Sequence, residues 1–218
     1  MGASTKIIEL RQLLAERGLA TVAPARDRFA AGWPDLDQEL GGGFPKGNVI
    51  ELHSPHAGNA LAVARLIQAA EQTRYFVGLV DGADGFDPVS VAPEALFRML
   101  WVRCHSASQA VKAADLLLRD GNLPLVLMDL HGCADAAKIP SQNWYRLQRI
   151  VEQSGAVLLA MTTRPMIPSA RVRVAMEARF TLEDIEREPA ELFAQLQLKA
   201  GRLQGMREEE TELLAAAG

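Results

Sequence analysis

The sequence predicts an α/β fold with a mostly parallel central sheet covered by helices on both faces. Three observations carry that expectation. From Trp33 onward, short apolar runs alternate with amphipathic stretches of helical length, the pattern of a sheet whose strands are joined by crossover helices. The runs Pro-Leu-Val-Leu-Met-Asp-Leu (124–130) and Ala-Val-Leu-Leu-Ala-Met (156–161) are apolar nearly throughout, as strands must be when neither face meets water. The length of 218 residues suits one filled core with a small appendage.

The elements follow in order. Residues 4–17 read as a helix: Ser4 or Thr5 caps it, Ile7, Leu10 and Leu14 mark one face, and Gly18 stops it. Residues 18–32 keep no period and read as a linker laid over a surface. Strands are expected at 48–53, 75–81, 99–104, 123–130 and 156–162, with helices at 60–72, 107–119 and 141–154. The alternation of polar and apolar residues over 171–182 and 191–199 predicts an antiparallel pair extending the sheet. An acidic stretch from Met206 closes the chain as a short helix. The organisation expected is therefore an interaction segment (1–32), a core (33–205) and an acidic helix or tail (206–218).

Composition removes several classes of function. The formal charge is −4 and acid and base are mixed, whereas a protein that grips nucleic acid alone concentrates positive charge on one face. No apolar run is long enough to cross a bilayer, and the N-terminus lacks the apolar region of a signal peptide. Cys104 and Cys133 are the only cysteines, too few for a disulfide framework and expected as free thiols in the cytoplasm.

The chemistry-bearing segment lies between 41 and 61. A Gly41-Gly42-Gly43 turn leads to the apolar run 49–52, then Ser54-Pro55-His56-Ala57-Gly58-Asn59-Ala60, then a helical stripe. Strand, glycine-rich loop and helix are the layout of a Walker A phosphate loop. Such a loop needs glycines so that its N–H groups wrap the phosphates, a Lys for the terminal phosphates and a Ser or Thr for Mg²⁺. Here one glycine remains. With one residue deleted, Asn59 takes the Lys position and Ala60 the hydroxyl position; without a gap these become Ala60 and Leu61. Neither register supplies the chemistry.

Other candidates sit at the expected carboxyl ends of strands, where ligands bind in open α/β sheets. Asp129 ends an apolar strand as the Mg²⁺-orienting carboxylate of a Walker B strand does, although an Asp there also serves as a turn or cap. The stretch 81–88, with Asp81, Asp84 and Asp87, reads either as a polar turn held by Asx-type bonds or as the source of a water-activating carboxylate. His53, His56, His105, His131 and the two cysteines match no common zinc spacing. The expectation is no metal and no cofactor.

Taken together, these segments resemble the RecA family of recombinase ATPases. Residues 32–52 resemble that family's approach to its nucleotide loop, 80–88 its I-D-A-E-x-x-x-D-P segment, 125–129 its Walker B strand and 156–164 the strand carrying its γ-phosphate-sensing Gln. The resemblance spans roughly 32–182 and implies a RecA-like three-layer sandwich with an N-terminal helix and C-terminal antiparallel strands. Carried over residue by residue, the Lys becomes Asn59 or Ala60, the catalytic Glu falls on Ala83 and the sensor Gln on Thr162, while Asp129 persists. Phosphoryl transfer is almost entirely positioning and charge stabilisation, so the resemblance implies a pseudo-ATPase rather than an enzyme. The stretches 130–140 and 163–170, which stand where the family's DNA-gripping loops follow these strands, are short and lightly basic. That implies weak or no intrinsic DNA binding.

The eroded loop, Leu100-Trp101-Val102-Arg103 and the run 113–119 also resemble the ImuA group of small RecA-like proteins. That resemblance implies a non-catalytic accessory protein of SOS-induced translesion synthesis with ImuB-like and RecA-like partners. The helix 4–17, through Ile7, Leu10 and Leu14, is the expected contact, on a partner or a second copy, unless it packs on its own domain. Two other readings stay open: a divergent ATPase using Lys46 or Arg65 as a substitute cation, and a recombination modulator that binds DNA through Arg164, Arg171, Arg173 and Arg179.

Overall fold

A computed structural model describes residues 27–201 apart from 56, 57, 179, 182, 183, 185, 186 and 188. The expected helix 4–17 with Ile7, Leu10 and Leu14, the loop residues His56 and Ala57, Arg179 and the segment from Met206 lie outside the described residues.

The described chain opens with β1 (Arg28–Phe29), α1 (Pro34–Glu39) and β2 (Phe44–Pro45), with β1 antiparallel to β2. The main sheet is built from β3 (Asn48–His53), β4 (Val77–Asp81), β5 (Met99–Arg103), β6 (Leu125–Asp129), β7 (Val157–Thr162), β8 (Val172–Glu177) and β9 (Gln197–Ala200). Between them run α2 (Asn59–Gln72), α3 (Pro93–Leu96), α4 (Ala107–Asp120), α5 (Ser141–Ser154) and α6 (Pro189–Phe193). The seven strands lie in the order β5-β4-β6-β7-β3-β8-β9. All neighbours are parallel except the last pair.

Two apolar layers sandwich the sheet because strand side chains alternate faces. Ile50 and Leu52 of β3 join Leu66 and Ile67 of α2 and Leu36 of α1 on one face. Val49, one residue out of phase, joins Leu118 of α4 and Trp144 and Leu147 of α5 on the other. Amphipathic helices with their stripes inward follow. Ser106 caps α4 by accepting the Gln109 N–H at 3.3 Å, and Gly121, at φ 75°, ends it in the left-handed conformation that glycine tolerates.

The structure corrects the expected elements at three places. Residues 191–199 are not one strand: Glu191 falls in α6, and only Gln197–Ala200 pairs with β8. Pro189 opens the helix, as proline's fixed φ favours at a first turn. The expected linker ends before 32, because Phe29 and Ala31 are buried in the core. The backbone there is close-fitted: a Cβ on Gly43 would stand 2.2 Å from the Phe29 carbonyl oxygen. The expected strand 171–182 is strand only over Val172–Glu177 among the described residues, and the other strands and helices agree with the expected bounds to within two residues, the usual scatter of element ends.

Candidate functional site

The carboxyl ends of β3, β4, β6 and β7 gather the residues singled out from sequence. After β3, the Ser54 N–H donates to the Thr162 carbonyl at 3.0 Å and Ser54 is buried, while Pro55 is exposed. Gly58, at φ 129°, stands at the N-cap of α2 with no side chain to offer. Asn59 begins the helix and is buried, and its Nδ2 donates to Asp129 Oδ1 at 3.1 Å. The same Asp129 oxygen accepts the His131 N–H at 2.8 Å.

Where an ATPase of this layout places a cationic Lys and a hydrated Mg²⁺ near the strand-end carboxylate, this chain has a neutral amide bonded directly to it. The electrostatics change accordingly. Burial pushes the Asp129 carboxyl up to about 6, against the lowering pull of the His131 N–H and the Asn59 amide. Among the described residues, Asn59 Oδ1 and His131 Nε2 are buried without a hydrogen-bond partner.

The other two sequence-predicted positions part company. Ala83 is exposed in the turn after β4 and has only a methyl to present. Asp81 before it is occupied by its own turn: its carboxylate accepts the N–H groups of Gly85 and Phe86, both at 2.9 Å, and the Trp101 indole at 3.2 Å. Asp84 pairs with Arg103 through two bonds of 2.5 and 2.8 Å, and Asp87 caps the Val89 N–H at 3.0 Å. All three carboxylates thus serve as turn and pairing groups. Gly82 lets β4 and β6 converge here, because a Cβ would lie 2.5 Å from the Asp129 carbonyl oxygen.

Thr162 turns its hydroxyl to a residue that the sequence reading passed over. Glu51, in the middle of β3, is fully buried. It accepts Thr162 Oγ1 at 3.2 Å, the N–H groups of Met166 and Ile167 at 2.6 and 3.1 Å, and Arg173 Nε at 2.9 Å. Period-2 alternation puts Glu51 on the face of Val49, beneath the β7–β8 connection, and four donors compensate its desolvation. The signal was a carboxylate inside an otherwise apolar strand, which demands a partner.

The substitute cations stand elsewhere. Lys46 precedes β3, at the opposite end from the loop, with its Nζ 5.5 Å from the Tyr75 ring centre. Arg65 donates to the Gly32 carbonyl from Nε at 2.9 Å and Nη2 at 2.6 Å. Of the arginines proposed for DNA, Arg173 is committed to Glu51 and Arg164 is exposed. Beside the loop lies a cavity of about 440 Å³ lined by His53, Pro55, Arg164, Met176 and Glu177. Burial lowers the His53 pKa, with Arg173 adding to the effect and Glu51 opposing it. Cys104 and Cys133 are free thiols, and burial pushes the latter up to about 11. Among the described residues no group of three or more His, Cys, Asp or Glu side chains is placed to hold a metal ion, and no helix is long and apolar enough to cross a membrane.

No protein-family model matches the chain. Among curated proteins it is 27% identical over 158 residues to the RecA protein of a Nocardioides species, a match covering 65% of this chain and 44% of that one. It is 24% identical over 170 residues to RecA of Corynebacterium pseudotuberculosis, covering 70% and 45%. Among solved structures, that of the RadB recombinase matches with a TM-score of 0.57 and 16% identity over 70% of this chain and 84% of that one. The chain is related to the RecA family at low identity. Its fold is RecA- and RadB-like, and its matched stretch spans less than half the length of the RecA proteins.

Proposed function

We propose that this chain is a non-catalytic RecA-like accessory protein of bacterial damage-induced translesion synthesis, acting by binding ImuB-like and RecA-like partners. The observation that carries the non-catalytic part is the 3.1 Å bond from Asn59 to Asp129. It puts a neutral amide against the one carboxylate that persists from the RecA pattern. Ala60, Ala83 and Thr162 leave the metal hydroxyl, the water-activating carboxylate and the sensor amide unsupplied. The energetic argument is one of compounded loss. Removal of one stabilising donor alone costs about 10²–10³ in rate at other active sites, and this loop lacks charge, metal ligand and base together.

Phosphate release with Mg²⁺-ATP tests the reading, and no turnover above background is expected. Steady release that disappears in Asp129→Ala would overturn it. The melting temperature is also expected to stay unchanged with millimolar Mg²⁺-ATP, because a ligand far below its Kd adds almost nothing to RT ln(1 + [L]/Kd). A saturable rise at lower concentration would mean that the loop still binds nucleotide.

A further inference from the structure

A groove of about 750 Å³ lies between α1, the middle of α2, α6 and β9. Trp33, Leu36, Phe193 and Leu198 give it an apolar wall, and the charged residues on its lining are Arg65 and Lys199 against one carboxylate, Asp35. The wall is preorganised. The Asp37 carboxylate accepts the N–H groups of Ala31 and Gly32 at 2.7 and 3.1 Å, Arg65 clamps the Gly32 carbonyl, and its guanidinium lies 5.7 Å from the Phe193 ring centre. Among the described residues, neither Arg65 nor Lys199 is within ion-pair distance of a carboxylate. The Trp33 indole N–H is buried without an acceptor. An apolar wall whose lining carries two cations, neither in an ion pair, against one carboxylate suits an acidic, amphipathic segment.

The chain carries such a segment next to the groove. β9 is one wall, and Gly201, tied to the Arg173 carbonyl at 2.6 Å, is the residue from which 202–218 departs. That stretch holds Glu208, Glu209, Glu210 and Glu212 against two arginines, with Leu213 and Leu214 directly after the acidic run. We propose that residues 202–218 dock in this groove of their own chain, Leu213 and Leu214 against the Trp33–Phe193 wall and the glutamates beside Arg65 and Lys199. Leu213 lies twelve positions after Gly201, a reach of about 18 Å as helix and about 40 Å extended, so the groove is within range. Tethering raises the effective concentration to roughly millimolar, enough for a modest intrinsic affinity to fill the site. Charge selects this segment over residues 1–26, where four basic residues face two acidic ones.

Hydrogen exchange on the full chain tests the proposal, comparing the natural protein with L213D/L214D. The amides of Trp33, Asp35, Leu36 and 197–200 should exchange about tenfold faster in the variant, while α4 and α5 stay unchanged. Lys199→Glu, on the groove side, should give a smaller acceleration at the same amides, and one that 0.5 M salt reduces. Equal exchange at the groove in all three proteins overturns the proposal. So does protection that rises with protein concentration, which would assign the groove to a second copy's segment.

Discussion

Asp129 is held by donors that satisfy its hydrogen bonds without cancelling its charge. Both the Asn59 amide and the His131 N–H reach the same oxygen, Oδ1, and burial leaves the carboxyl with a pKa of about 6. A folded-state pKa above the unfolded value near 3.8 means that the folded protein holds the proton more tightly. The destabilising contribution is therefore absent below about pH 4, grows as pH rises through 6 and is complete above it. Asp129→Asn keeps an oxygen for both donors and removes the charge. It should stabilise the protein at pH 8 by on the order of 2 kcal/mol, with the gain vanishing near pH 4. Urea midpoints across that range check it, and a variant less stable than the natural protein at pH 8 would refute the assignment.

At the scale of elements, β3 ties the sandwich together. It lies between β7 and β8, sends Ile50 and Leu52 into one core layer and Val49 into the other, and holds the β7–β8 connection through Glu51. Glu51→Ala would strand the Arg173 guanidinium and two backbone N–H groups. A loss on the order of 3 kcal/mol is expected in denaturant unfolding, with faster exchange at Met166 and Ile167 before any other amide. The strands of this sheet were legible because continuous apolar runs have few other uses. Glu51 was not, since its partner Arg173 is 122 positions away and sequence periodicity carries no pairing across that distance. The same limit hid the Asn59–Asp129 bond, although each residue was singled out alone. Glu191–Phe193 was misread as strand because an alternation of polar and apolar residues fits either period over so few positions. For the proposed partner contact, the relevant element is the helix expected at 4–17. Deleting 1–20 leaves every described element in place, so the melting temperature should change little while capture of RecA-like or ImuB-like partners is lost. Undiminished capture would assign the contact to another surface.

Across the whole molecule, several arginines are paired internally. Arg103 pairs with Asp84, Arg119 and Arg146 flank Asp115, and Arg173 pairs with Glu51, while the net charge is −4. A strand of nucleic acid is gripped chiefly through phosphates, each contact releasing a counterion, so affinity needs several free cations on one path. Arg164, exposed on the β7–β8 connection, is one such group, and a single contact yields little. Binding of the isolated chain to single-stranded DNA should therefore be micromolar or weaker at physiological salt, with a shallow dependence of log K on log salt set by one or two phosphate contacts. Fluorescence anisotropy with a labelled oligonucleotide between 50 and 300 mM salt measures both quantities. Nanomolar, cooperative binding with a steep slope would replace the accessory reading with that of a recombination modulator acting directly on DNA.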